Sequence, residues 1–266
     1  MTEVKPSFAV KVDVTNPGQF FACCGLLELA HRVWPGAEGW FDRDKFNLSI
    51  KDGSAALNEL FKKLTEVEFR QLDPDDDYST PIEIASPFGL RLDWWRDEQY
   101  GGKRLKPWAG SMRNLRIARA LQNASRQGTS PDESNVLFFG AVVYEPGRPD
   151  QKVEPFYFDS RRGSYSKSID IGFMPDALEM PTVAYPATEL LCLVGLQRCR
   201  PAVTDTARLF DYFTWAVPLP CTVTPAASCG LLRGMGEKRF QFQNAFRTGQ
   251  KKHKCFLSAI PLGGRT

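Results

Sequence analysis

The first 36 residues constrain the fold more than any other stretch. Ser7 to Val14 reads SFAVKVDV, with Phe8, Val10, Val12 and Val14 on one side and Ala9, Lys11 and Asp13 on the other. That period of two predicts a strand. Thr15 or Asn16 can then cap a helix, Pro17 suits its first turn, and Pro35-Gly36 stops it. Between those signals Phe20, Phe21, Cys24, Leu27, Leu29 and Val33 give the helix a wide apolar surface. A helix of this kind needs cover from several neighbours.

Gly39 to Ile50 reads as one or two short strands, and Ser54 to Leu64 as a helix with Asp52 or Ser54 at its cap. Strand, helix, strand, helix predicts an α+β fold, with helices on one face of a sheet as in ferredoxin-like domains. Many α/β chains open in the same order, so this alone assigns no function. At 266 residues and 42% hydrophobic the chain can bury a full core. The expected organisation is a single domain over 1–266, with residue 130 as the place where an N-terminal half and a β-rich C-terminal half would part.

A basic loop and helix interrupt this pattern between Leu92 and Arg126. After Glu98 no acidic residue occurs until Asp132, while Lys103, Arg104, Lys106, Arg113, Arg116, Arg119 and Arg126 accumulate. Trp94-Trp95 and Trp108 bracket the loop, and Gly101-Gly102 would let backbone approach a ligand closely. Beyond it, Arg113, Arg116 and Arg119 span about 120° of one helix face, with Leu115, Ile117, Ala118 and Leu121 roughly opposite. Arginine and lysine interleaved with tryptophan suit a polyanion carrying flat bases. The plainer reading is a solvated helix face and, for Trp108, a core side chain.

Net charge is only +3, so any case for nucleic acid rests on where the charge lies. Asp73, Asp75, Asp76 and Asp77 make one acidic loop, whereas Gln99 to Gln127 and Leu231 to Lys254 are basic. Seven cysteines, an odd number, and a start (MTEVKPS) without signal-peptide regions predict a reducing, cytoplasmic setting with free thiols. No apolar run approaches the roughly 18 residues of a membrane span.

Asn135 to Tyr144 and Val153 to Ser160 read as strands, the second alternating. Arg161-Arg162 follow directly and could hold a phosphate, or belong to an ordinary polar loop. Tyr185-Pro186 introduces an apolar helix that ends by Pro201, with Glu189 inside it and expected to pair with an arginine. Leu209 to Val217, Phe240 to Arg247 and Cys255 to Ile260 read as strands. Between the first two, Gly230, Gly234 and Gly236 lie beside Arg233, Lys238 and Arg239; Lys251 and Lys252 sit in the last turn.

Signatures of common enzymes are missing: there is no G-x-S-x-G, Walker A, H-E-x-x-H or C-x-x-C sequence. Cys221, Cys229, His253 and Cys255 have zinc-compatible side chains at unsuitable spacings, so neither metal nor cofactor is expected. His253 with Lys252 or Tyr165 is the one acid-base grouping that a metal-free ribonuclease could draw on.

Five segments, Asn16 to Phe41, Trp108 to Leu121, Glu154 to Gly163, Ile169 to Met180 and Tyr185 to Pro201, resemble a CRISPR-associated family of type I systems. The subtype is the one first called I-U and now I-G. The resemblance runs in order through roughly three quarters of the chain. It implies a non-catalytic subunit of the crRNA-guided surveillance complex, Cascade, in the large-subunit position. Its partners would be crRNA, target DNA, and the backbone and crRNA-processing subunits.

In such complexes base pairing reads sequence while protein holds backbone and a short flanking motif. The chain is short for a large subunit, and its end reads as strands where a helical bundle is usual. The glycines at 230–236 are similar to the glycine-rich loop of CRISPR RNA-binding proteins with ferredoxin-like, RAMP-like domains. On physical grounds the expected nucleic-acid contacts are Lys103, Arg104, Lys106, Trp108, Arg113, Arg116 and Arg119. Arg161, Arg162, Arg233, Lys238, Lys251 and Lys252 complete the set. The alternatives are a metal-independent crRNA-processing ribonuclease and a protein-only scaffold whose arginine face docks an acidic partner.

Overall fold

The computed structural model describes residues 4–51, 56–73, 79–128, 133–162, 183–247 and 253–263. The chain opens as β1 (Phe8–Lys11), α1 (Pro17–Val33), β2 (Glu38–Asp42), β3 (Lys45–Ser49) and α2 (Leu57–Glu66). It continues through β4 (Phe69–Gln71), β5 (Ile82–Ile84), β6 (Leu90–Leu92), α3 (Gly102–Leu105) and α4 (Asn114–Ser125). A small hairpin, β7 (Tyr144–Glu145) with β8 (Arg148–Lys152), precedes α5 (Pro186–Arg198). The last part holds β9 (Ala202–Val203), β10 (Leu209–Phe213), β11 (Leu219–Pro220), α6 (Thr224–Ser228), β12 (Arg239–Phe246), β13 (Lys254–Phe256) and β14 (Ile260–Leu262).

This is an α+β fold built on several small antiparallel sheets. The first sheet has the order β1-β3-β2-β11, so β1, α1, β2 and β3 form the split βαβ unit expected from the opening sequence. Its fourth strand is not the next one in the chain but β11, paired with β2 through Leu219 and Gly39. Strands β4, β5 and β6 form a separate meander. The second main sheet has the order β13-β12-β10-β9, with β14 also on β12.

Asn16 caps α1 by accepting the Gly18 N–H at 3.1 Å. Its first 14 residues, Pro17 to Ala30, are all buried, because elements close on it from every side. Phe20 stacks on Phe41 of the first sheet and also meets Tyr212 of the second, while Phe21 reaches Phe242. The remaining side is filled by α5, equally buried from Pro186 to Leu196. At their crossing a Cβ on Gly25 would strike the Leu191 carbonyl, and one on Gly195 would strike the Phe21 carbonyl. The two backbones touch, which only glycine permits. One contiguous apolar core draws on residues from Val10 to Ala259, on both sides of residue 130.

The crossing buries a charge. Glu28, 1% exposed, accepts hydrogen bonds from Arg32, Arg198 and the Cys221 thiol. Burial would raise its carboxyl, but these donors together outweigh it and hold the value down at about 2.

Several sequence expectations are corrected. Asn135 to Tyr144 is not a strand: Glu133–Phe138 is a 3₁₀ segment, and Ala141 makes an isolated bridge to Ala184. Side chains satisfy this backbone where a strand partner would, since the Leu137 carbonyl accepts from Thr188 Oγ1 and Arg161 Nη2. Val153 to Ser160 is also irregular, with Phe156, Tyr157 and Phe158 all buried in succession and Tyr157 at φ 68°. Glu189 makes no ion pair with an arginine among the described residues, although the Arg162 charge acts on it, and it accepts the N–H groups of Phe158 and Asp159. The proposed caps Asp52 and Ser54 lie outside the described residues, and α2 starts after Ala56 with no side-chain cap.

Two outcomes test this account. Gly195→Ala should destabilise the protein at or above the upper end of the about 1–3 kcal/mol typical of overpacking. Gly110→Ala, where a Cβ meets nothing within 4 Å, serves as control. Denaturant titration that gave the two variants equal stability would refute the contact. As for acid, the folded-state value of Glu28 lies below its ordinary 4.5. Its contribution of about 3 kcal/mol is therefore complete above pH 4.5 and lost as pH falls toward 2. Glu28→Gln should remove that part of the stability profile, and an unchanged acid limb would contradict it.

Candidate functional site

The tryptophans that bracket the basic loop are core residues. Trp94, Trp95 and Trp108 are all 3% exposed or less and meet edge to face at 5.5–5.8 Å. Trp94 Nε1 donates to the Leu193 carbonyl and Trp95 Nε1 to the Ser79 carbonyl. Trp108 packs against Phe156 and Phe158 and presents no face on which a base can stack. The Gly-Gly hinge likewise serves the fold. A Cβ on Gly102 would strike the Trp94 carbonyl, and one on Gly101 would lie 2.9 Å from Val203 Cγ2.

Most of the basic stretch is also engaged internally, contrary to its lack of neighbouring carboxylates in sequence. Arg116 pairs with Glu145 at 2.9 Å, a partner contributed by the hairpin that folds over α4. Arg119 donates to the Phe69 carbonyl and Arg126 to the Thr65 carbonyl. Lys106 donates to Ser79 Oγ at 2.7 Å and lies 4.9 Å above the Trp108 ring. Lys103 pairs with Glu98, both well exposed, so that pair is weak. Arg113 is exposed at the start of α4.

Arg162 is buried and Arg161 partly buried, and both are engaged within the fold. Arg161 grips the buried Asp159 carboxylate and covers the Tyr185 ring at 3.2 Å. Arg162 is 4% exposed, 3.6 Å from Glu154 and 5.4 Å from the Tyr157 ring centroid. Around them Asn16 Nδ2 donates to Asp159 Oδ1, tying the start of α1 to this loop. Glu189 is fully buried beside it. Burial pushes its carboxyl up to about 7, with Asp159 adding to the rise against the lowering effect of the two N–H bonds it accepts.

In the glycine-rich segment, Gly230 and Gly236 adopt positive φ against the Phe213 ring and Ala216 respectively. Arg233 and Lys238 are exposed there, while Arg239 pairs with Asp211 at 2.6 Å. Lys251 and Lys252 lie outside the described residues, as does Tyr165. His253, half-buried, takes part through its carbonyl, which accepts the Arg247 N–H. All seven cysteines are free thiols, Cys221 bonding Glu28 and Cys255 buried in β13. Among the described residues no group of three or more His, Cys, Asp or Glu is placed to hold a metal.

A different set of cations comes together where α3 meets one end of the second sheet. Antiparallel pairing brings the start of β10, the end of β12 and the start of β13 to the same place. This gathers Arg208, Phe246, Arg247 and Lys254. The loop joins them because Asn244 Nδ2 donates to the Arg104 and Leu105 carbonyls and Lys254 N–H to the Pro107 carbonyl. Arg208 lies over the Phe246 ring at 4.4 Å, and Arg247 over the Tyr157 ring at 3.6 Å. Burial, and then the Arg208 charge, push the Lys254 ammonium below its usual range.

Among the described residues, Arg104, Arg208, Arg247 and Lys254 have no ion pair with a carboxylate. The nearby acids are Asp205 in the β9–β10 loop and Glu154, which is bonded to the Tyr157 hydroxyl. Guanidinium groups fixed on aromatic rings, in a locally positive field, have the chemistry needed to hold phosphates. The glycine-rich segment lies at the other end of β12, about 24 Å away at 3.4 Å per residue.

Of this group sequence reasoning selected Arg104 alone as a site. Lys254 was visible only as part of a basic tail, and Arg208 and Arg247 are isolated in sequence. The usable signal was that basic residues border three successive strands at ends that antiparallel pairing makes adjacent.

Compared with known proteins, the chain matches no family model, no curated protein and no solved structure.

Trp108→Ala should cost about 3–5 kcal/mol of folding stability, as expected of a buried aromatic. Chemical denaturation measures it. Unchanged stability would return Trp108 to the surface and to a role in stacking.

Proposed function

We propose that this chain is a non-catalytic, nucleic-acid-binding subunit of a type I CRISPR surveillance complex acting in the cytoplasm. In this reading it holds the backbone of crRNA or of a target strand while base pairing reads the sequence. The observation that carries the reading is the meeting of Arg104, Arg208 and Lys254 where α3 reaches the end of the second sheet, with no carboxylate ion pair among the described residues. Grouped like charges are costly until an anion arrives, and a phosphodiester backbone supplies anions at regular spacing. The sequence resemblance to a type I CRISPR family supports the identity of the nucleic acid. The ferredoxin-like opening of the first sheet agrees with it at the level of fold alone.

Among the described residues no helix is long and apolar enough to cross a membrane. The arginine face of α4 contributes to this reading less than its sequence suggested, since Arg116 and Arg119 are bonded within the fold.

Co-expression of the tagged chain with neighbouring genes and a CRISPR array tests the proposal. A discrete crRNA and partner subunits should co-purify. Exchange of Arg104, Arg208 and Lys254 together for Ala should deplete the RNA, with folding checked by circular dichroism. Recovery of the wild-type chain without RNA or partners would overturn it.

A further inference from the structure

The cation surface contains a concavity. Arg104 of α3 and the loop from Val203 to Phe210 enclose a cavity of about 340 Å³. Its wall is prearranged. Thr204 Oγ1 donates to the Leu209 carbonyl at 2.8 Å and accepts the Thr206 N–H, while Leu209 N–H returns to the Thr206 carbonyl. Arg208 stands in the left-handed region at φ 63°, a conformation unfavourable for a side chain of its size. Such positions concentrate at ligand sites. The Phe246 ring beneath it fixes the guanidinium.

Two further features narrow the ligand. Asp205 also lines the cavity, so a bare phosphate drawn in by Arg104 and Arg208 meets a repelling carboxylate. A ligand with hydrogen-bond donors beside its phosphate would turn that carboxylate into an acceptor. Tyr100 is 66% exposed and directly precedes Gly101, where a Cβ would lie 2.9 Å from Val203 Cγ2 of the cavity wall. An aromatic side chain left in water beside an arginine-lined cavity provides a stacking platform. The volume lies at the small end of ligand pockets and is too small for a duplex.

We propose that this cavity receives one unstacked nucleotide of a single strand, with its phosphate between Arg104 and Arg208 and its base against Tyr100. Asp205 accepts from a ribose hydroxyl or a base amine. The inference rests on the nucleic-acid reading above and goes further, because it makes the site selective for single strands and sensitive to a lone nucleotide.

Adenosine monophosphate, adenosine and inorganic phosphate, each titrated into the purified chain and followed by NMR or calorimetry, test it. The monophosphate should bind saturably, about tenfold or more tightly than either of the others. Arg104→Ala, at an exposed position, should weaken the monophosphate by about tenfold, and Tyr100→Ala, equally exposed, by about fivefold or more. Monophosphate and inorganic phosphate binding alike would mark a simple anion site and overturn the proposal. Salt-dependent binding of a single-stranded RNA with no monophosphate binding would overturn the pocket and leave the nucleic-acid reading standing. If neither bound, both would fall.

Discussion

The contact between α1 and α5 at Gly25 and Gly195 sets the geometry of everything else. Because neither residue has a Cβ, the two helices meet backbone to backbone, and each is covered on its remaining sides by a sheet or a loop. That arrangement explains why both helices are apolar around their whole circumference, where a surface helix would show one polar face. It also explains Glu28. A carboxylate in the crossing is tolerable because Arg32 and Arg198 lie beside it, and removing both would leave a buried charge uncompensated. The N-terminal ends of the same helices organise the loop at 156–162. Asn16 at the start of α1 and Glu189 in the first turn of α5 both bind the backbone or carboxylate of Asp159's neighbourhood.

The distribution of positive charge follows from this frame. In sequence, residues 99–126 are the obvious place for an anion. In three dimensions the hairpin at 144–152 and the carbonyls of the meander close over α4, and the three tryptophans anchor the loop in the core. What remains outward from the loop is chiefly Lys103, paired with an exposed glutamate, and Arg104, directed to the cavity beside β9 and β10. The cations without a carboxylate ion pair among the described residues therefore gather at one end of the second sheet, and α3 adds one arginine to them.

The legible part of the sequence was its local part. The period of β1, the cap and proline of α1, the proline start of α5 and the amphipathic pattern of α4 all depend on near neighbours, and each element lies where those signals put it. Residues 135–144 and 153–160 read as strands and are not, because apolar runs look alike whether a neighbouring strand or a set of side chains satisfies the backbone. The difference rests on Thr188, Arg161 and Glu189, which are 51, 24 and 31 residues away from the groups they bond. Partners at a distance also decide which arginines are available. Glu145, 29 residues from Arg116, is invisible to charge counting, and so is the grouping of Arg208, Arg247 and Lys254 at one sheet end, which needs the register of three strands.

Amide hydrogen exchange of the intact chain, with and without single-stranded RNA, tests most directly the claim that the second sheet and not the arginine helix faces the ligand. The account predicts slowed exchange in the 204–208 loop, α3 and β13, with α4 unchanged. Slowed exchange along α4, with the sheet end unaffected, would contradict it.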